Sequence, residues 1–208
     1  MKETMVFLKS VDVPEGLAPK ERSGFVSEKG HDYVRSLMSS ATGENYSHIP
    51  FSRQPGGKPY FEECRYHFSL SHCGTLLAVA ISGAEVGIDI EKIRLFNERV
   101  AKRYFTADER NYFDAGKDDA ERSRRGFEIW TAKEAYLKLH GVGIAGGLDF
   151  DTANSSGLLK QITSEKYPAA YLQSTIKEIT LKDGTNDSVA IALCGSCSAE
   201  NQVRYHII

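Results

Sequence analysis

From Arg94 to Gly141 the chain reads as helix almost without interruption, and strand patterns lie on both sides of that stretch. This order excludes strict strand–helix alternation and predicts an α+β fold. Thr106-Ala-Asp-Glu109 has the form of a capping box, in which a hydroxyl and a carboxylate satisfy opposite sides of a helix start. Asp118–His140 reads as one long helix with Gly126 as its single breaker and Gly141 as its stop. Ahead of this region, Met5–Val11 reads as a strand and Lys20–Ser40 as a helix with Phe25, Tyr33, Val34, Leu37 and Met38 near helical spacing. Loops are expected at Thr42–Tyr46 and Gln54–Gly57, then strands at His67–Cys73, Leu76–Ser82 and Val86–Glu91, divided at Gly74 and by a turn at Gly83. Strand patterns return at Leu158–Ile162, Ala169–Ile176, Ile179–Leu181, Val189–Leu193 and Val203–Ile208. The Gly83 turn is the best boundary, giving an N-terminal half over 1–84 and a C-terminal half over 85–208.

Composition narrows the function classes. With 26 basic and 28 acidic residues among 208, the net charge is −2, so no overall positive field draws the protein to nucleic acid. The longest aliphatic run, Leu76–Ile81, is far shorter than the roughly 20 residues of a membrane span, and Met5–Leu8 is too short for a signal-peptide core. Four cysteines are too few for a disulfide scaffold and point to a reduced, cytoplasmic setting. Cys194-Gly-Ser-Cys197 has the spacing of metal and redox sites, but Cys64 and Cys73 form no second close pair for a zinc, and a strand pattern precedes Cys194 where a redox pair would want a helix start. A plain structural role is expected there.

Three segments carry chemistry. In Gly87-Ile-Asp-Ile-Glu91 strand alternation turns Asp89 and Glu91 to one face and Ile88 and Ile90 to the core. Neighbouring carboxylates repel unless a cation or proton lies between them, and hard oxygen donors in that arrangement suit Mg²⁺; two solvated acids on an edge strand are the alternative. In Trp130-Thr-Ala-Lys-Glu-Ala-Tyr-Leu-Lys138, Trp130, Glu134 and Lys138 form one helical stripe with Lys133 beside it, compatible with a site or with a core tryptophan and a surface ion pair. The third is Gly57-Lys58-Pro59 with Phe68-Ser-Leu-Ser71-His72, where glycine lets a ligand approach the backbone and Ser71 and His72 can donate to a phosphate. Adjacent strand residues face opposite sides, so Ser71 and His72 do not form a nucleophile–base pair.

Taken in order, the Gly-Lys-Pro, Phe-x-x-Ser-His, Gly-Ile-Asp-Ile-Glu and Trp-x-x-Lys-Glu-Ala-x-x-Lys elements, with Ala101-Lys-Arg-Tyr-Phe105 between the last two, resemble the 4′-phosphopantetheinyl transferases, specifically their larger pseudo-dimeric class. The resemblance runs from about Gly56 to Gly141. It implies two similar α/β halves in one chain, with coenzyme A in the cleft between them. It also implies transfer of phosphopantetheine to a serine of an apo acyl or peptidyl carrier protein, with release of adenosine 3′,5′-bisphosphate. By motif, Asp89, Glu91 and Glu134 would hold Mg²⁺, Glu134 binding the metal or taking the serine proton. Lys138 would contact the attacked phosphate and Lys133 the diphosphate. Gly57, Lys58 and Pro59 would line the adenine pocket, with Ser71 and His72 near the ribose 3′-phosphate. For that phosphate the N-terminal half also offers Lys20, Arg22, Lys29 and Arg35. The resemblance suggests a monomer, and a non-catalytic module binding coenzyme A or a carrier protein on the same fold is the competing reading. Because such carriers are acidic, a docking surface is expected at Lys92–Phe96, with Leu95 and Phe96 as apolar anchors and Arg99, Lys102 and Arg103 continuing the positive charge.

Overall fold

The computed structural model describes residues 4–181, 184–196 and 203–207. Chain order runs β1 (Thr4–Ser10), α1 (Pro19–Thr42), β2 (Ser52–Arg53), β3 (Pro59–Tyr60), β4 (His67–Cys73), β5 (Leu76–Ser82) and β6 (Val86–Lys92). Three helices follow, α2 (Glu98–Tyr104), α3 (Ala107–Asp114) and α4 (Asp119–Leu139). The rest is β7 (Ala153–Asn154), β8 (Gly157–Leu158), β9 (Gln161–Ile162), β10 (Ala170–Thr180), β11 (Asn186–Ser196) and β12 (Val203–Ile207). The mixed α and β content agrees with the expected class. Ile179 and Thr180 are not a separate strand but the end of β10, held in unbroken register against β11 from Ala170 to Thr180, and Leu181 follows just beyond it.

Two four-stranded sheets form the body, in the orders β12-β1-β5-β4 and β6-β11-β10-β9. The Gly83 turn is where the chain passes from one to the other. The last strand crosses the expected division, because β12 lies parallel to β1 in the first sheet. Each sheet carries one long helix. Helix α1 buries Val26, Gly30, Val34 and Met38, an i, i+4 stripe, over Phe68, Val79 and Ile81. Helix α4 buries Ala132, Ala135, Tyr136 and Leu139 over Leu172, Ala192 and Cys194. The opposite faces of the two sheets share one core, in which Leu76, Ala78 and Ala80 of β5 meet Val86, Ile88 and Ile90 of β6. Both faces of β5 are therefore covered, which is why its seven residues are all buried and its sequence shows no polar alternation.

The breaker in α4 has a packing reason. A Cβ at Gly126 would fall 2.5 Å from the ring of Phe96, and that ring is gathered with Phe105, Phe113 and Phe127 in a buried aromatic cluster. Phe96 is only 7% exposed, so the expectation that it is a docking anchor is corrected: it is core, and the neighbouring Leu95 is 76% exposed. Among the described residues, no helix is long and apolar enough to cross a membrane.

Candidate functional site

On β6, Gly87, Asp89 and Glu91 share the face turned to α4. The helix lies directly on this strand: a Cβ at Gly87 would sit 2.0 Å from the Ala135 carbonyl oxygen and 2.4 Å from the Leu139 amide. That contact brings Glu134 and Lys138, one helical turn apart, beside the strand carboxylates. Gly87→Ala is expected to force the two elements apart and cost about 1–3 kcal/mol, the range for overpacking, measured as a lower urea midpoint at unchanged slope. An unchanged midpoint would show that the strand and helix yield without strain.

A cavity of about 570 Å³ opens here, between the two sheets and the end of α4. It is lined by Asp89, Ile90 and Glu91 of β6, Trp130, Glu134 and Lys138 of α4, Phe68–His72 of β4, and Gly56, Lys58 and Pro59 of the β2–β3 hairpin. The Lys138 ammonium donates to Asp89 Oδ1 at 2.7 Å and to Ser71 Oγ at 2.9 Å, while Ser71 Oγ donates to the same Oδ1 at 2.7 Å. Burial, then the Asp89 charge, pushes Glu91 and Glu134 above the usual carboxylate range; Lys138 acts against this at Glu134 and Arg94 at Glu91. Burial, then the Lys138 charge, lowers His72, which favours its neutral form.

Three carboxylates line the cavity, and the Lys138 ammonium among them is already engaged by Asp89, so the site is short of positive charge. The donor set is that of Mg²⁺, which takes one or two protein carboxylates and completes its shell with substrate oxygens and water. Among the described residues no three His, Cys, Asp or Glu side chains converge into a ready-made metal cage. The residues therefore fit a cation that arrives with an anionic substrate better than one held by the protein alone.

The other expected residues take varied places. Pro59 and Lys58 line the cavity, but the Lys58 ammonium is spent within the protein, donating to Glu85 Oε2 at 2.8 Å and to the carbonyls of Val86 and Leu139 at 3.0 Å each. It ties the hairpin to the start of β6 and the end of α4. Gly57 is exposed and outside the lining, where its amide closes the turn onto Gln54 O. Lys133 is corrected more sharply. Its ammonium is fully buried away from the cavity, 2.9 Å from Glu109 Oε2 and donating to Leu148 O and Phe150 O. Of the basic residues offered by the N-terminal half, none lines the cavity; α1 contributes Ser27 and His31 instead. Burial, then Arg53 and Arg35, lowers His31. Ser27 and His31 stand one turn apart on α1, next to buried Val26 and Gly30, but nothing in the sequence turns that side of the helix to a cavity. Cys194 is buried in β11, and Cys197 lies outside the described residues.

The Lys58 strap has a pH signature. Hydrogen bonds from His67 and from Lys58 hold Glu85 down to about 2 against its burial. A depressed carboxylate contributes stability that is present above its ordinary value of about 4.5 and lost as pH falls through about 2. Melting temperature should thus fall over that window, and Glu85→Gln should flatten the fall. Parallel curves for both proteins would contradict the strap.

Residues 85–194, more than half of the chain, match the sequence profile of the 4′-phosphopantetheinyl transferase superfamily. The chain is 37% identical over 129 residues to the 4′-phosphopantetheinyl transferase psf-1 of Bacillus pumilus, covering 61% of this chain and 54% of that protein. It is 35% identical over 122 residues to the 4′-phosphopantetheinyl transferase Sfp of Bacillus subtilis, covering 58% and 54%. With HetI of Nostoc, also named a 4′-phosphopantetheinyl transferase, identity is 33% over 134 residues, covering 61% and 55%. The chain thus spans about half the length of the curated relatives it matches.

Proposed function

The chain belongs to the 4′-phosphopantetheinyl transferase superfamily, and on that footing we propose that it transfers the 4′-phosphopantetheine arm of coenzyme A to a serine of an apo acyl or peptidyl carrier protein, releasing adenosine 3′,5′-bisphosphate. The observation that carries this reading is the convergence of Asp89, Glu91, Glu134 and Lys138 on one cavity that Ser71, His72, Lys58 and Pro59 also line.

Asp89, Glu91 and Glu134 would hold Mg²⁺. When bound, the ion neutralises the pyrophosphate and offsets charge that develops on its non-bridging oxygens. The chain's own groups account for the rest. The carrier serine Oγ attacks the pyrophosphate phosphorus nearer the pantetheine, the bond from that phosphorus to the bridging oxygen breaks, and adenosine 3′,5′-bisphosphate leaves. Lys138, already aimed into the cavity, supplies positive charge at the attacked phosphate. Glu134, which lines the cavity from α4, is placed to accept the serine proton. Neutral His72 is suited to donate to the ribose phosphate, with Ser71, whose own proton goes to Asp89, beside it, and the hairpin carrying Lys58 and Pro59 walls the adenine side.

The two sheet-and-helix halves are read as related by a pseudo-twofold, and the protein as a cytoplasmic monomer. An acidic carrier would dock beside the cavity on exposed Leu95, with Arg94, Arg99, Lys102 and Arg103 exposed around it.

Chromatography of the nucleotide products tests the reaction class. Adenosine 3′,5′-bisphosphate should accumulate only when coenzyme A, Mg²⁺ and an apo carrier are all present. Accumulation without a carrier would make the protein a hydrolase. No accumulation, with the fluorescence of the sole tryptophan, Trp130, still responding to coenzyme A, would make it a binding module.

A further inference from the structure

The two sheets meet along their edge strands β4 and β6, which run side by side in the same direction without a backbone ladder between them. An edge amide left unpaired in a buried seam is costly, so another partner is needed. Alternate side chains of β4 provide it. Ser69 Oγ accepts from the Ile88 amide at 3.1 Å, Ser71 Oγ donates to Asp89 Oδ1, and Cys73 Sγ accepts from the Lys92 amide at 3.1 Å. The Cys73 thiol in turn donates to Glu91 Oε2 at 3.6 Å, the same oxygen that Arg94 Nη1 approaches at 3.5 Å.

We propose that Cys73 is a positioning residue for the cation site: anchored on the β6 backbone through its sulfur, it holds one oxygen of Glu91 and so sets where that carboxylate stands relative to Asp89 and Glu134. The proposal rests on the reading that these three carboxylates bind a divalent cation. Ser71 plays the equivalent part for Asp89, so each strand carboxylate is braced by the β4 side chain opposite it. Groups that orient ligands in this way commonly shift metal affinity by about 10–100-fold when lost. A thiol is a weak donor, so the low end applies here.

Cys73 also packs against the core shared by the two sheets, and the test must separate bonding from bulk. Cys73→Val keeps the bulk and removes donor and acceptor, whereas Cys73→Ser keeps both. The readout is Mn²⁺ affinity, from the electron paramagnetic resonance of free Mn²⁺ in the presence of coenzyme A and without a carrier, alongside the melting temperature. Cys73→Val should weaken Mn²⁺ binding about tenfold. Cys73→Ser should stay within about twofold of the wild type, as retention of both hydrogen bonds requires. The proposal is overturned if Cys73→Val binds Mn²⁺ like the wild type, or if Cys73→Ser is as weak as Cys73→Val. Should Cys73→Val fail to fold, Cys73→Ala takes its place in the same comparison. Wild type and Asp89→Asn run beside them. No Mn²⁺ binding by the wild type would refute the cation reading and the proposal together. Binding lost in Asp89→Asn but intact in Cys73→Val would refute the positioning role alone.

Discussion

Asp89→Ala is expected to lower turnover at least about a hundredfold while the protein stays folded, a loss in the range for removing one preorganised electrostatic contact to a transition state. The reason is its position at the centre of the site. Asp89 takes hydrogen bonds from both Lys138 and Ser71, and its charge is the largest carboxylate influence on Glu91 and Glu134. Without it the proposed cation loses a ligand, Lys138 loses the partner that aims it, and the two remaining carboxylates lose a source of repulsion. Asp89→Asn separates these effects. It keeps the shape and the contact with Ser71, and it should move Glu91 and Glu134 back toward the ordinary carboxylate range. Any residual activity should then have its acid limb at lower pH than the wild type. The fold should survive because the carboxylate faces a cavity that water can fill, while Ile88 and Ile90 keep the strand in the core. Near-wild-type turnover of Asp89→Ala at ordinary Mg²⁺ would remove Asp89 from the mechanism.

The second large effect is on stability. Lys133→Met should cost about 3–5 kcal/mol, the range for stranding one partner of a buried ion pair. In a chain of this size that is on the order of 10 °C in melting temperature. Both ends of the pair are fully buried. Glu109 Oε1 accepts from the Thr152 amide and hydroxyl at 2.8 Å each, and its Oε2 also accepts from the Thr106 amide in the capping box. Lys133 in turn satisfies the carbonyls of Leu148 and Phe150. Burial lowers the lysine and Glu109 opposes that shift, so the pair survives only as a unit. The double change Lys133→Met with Glu109→Gln should therefore cost clearly less than the sum of the single changes. If Lys133→Met instead melts like the wild type and binds coenzyme A weakly, the lysine touches substrate as its motif suggested.

What the sequence disclosed and what it hid follow from range. The strands His67–Cys73 and Leu76–Ser82, the capping box at Thr106 and the span of α4 rest on local patterning, and the structure has them where those patterns lie. The facing of Asp89 and Glu91 away from the Ile88–Ile90 core is a consequence of strand alternation alone. The fates of Lys133 and Phe96 are not local. Lys133 is one residue from the Glu134 stripe, and only the loop at 148–152 and the α3 start decide that its charge turns inward. Phe96 is next to exposed Leu95, and what buries it is the gap left by Gly126, thirty positions on. The cavity lining from Ser27 and His31 was equally hidden, since it depends on how α1 crosses its sheet. So was the return of β12 to the first sheet, which no pattern in the last strand could announce.

The intact mass of an apo carrier protein, recorded after incubation with this protein, coenzyme A and Mg²⁺, tests the central claim most directly. The account predicts a gain of one phosphopantetheine group on the carrier, absent when coenzyme A is omitted, absent with Asp89→Ala, and absent when the carrier's acceptor serine is alanine. A carrier that keeps its apo mass, across several acyl and peptidyl carriers and with the wild-type protein shown to be folded, would contradict it.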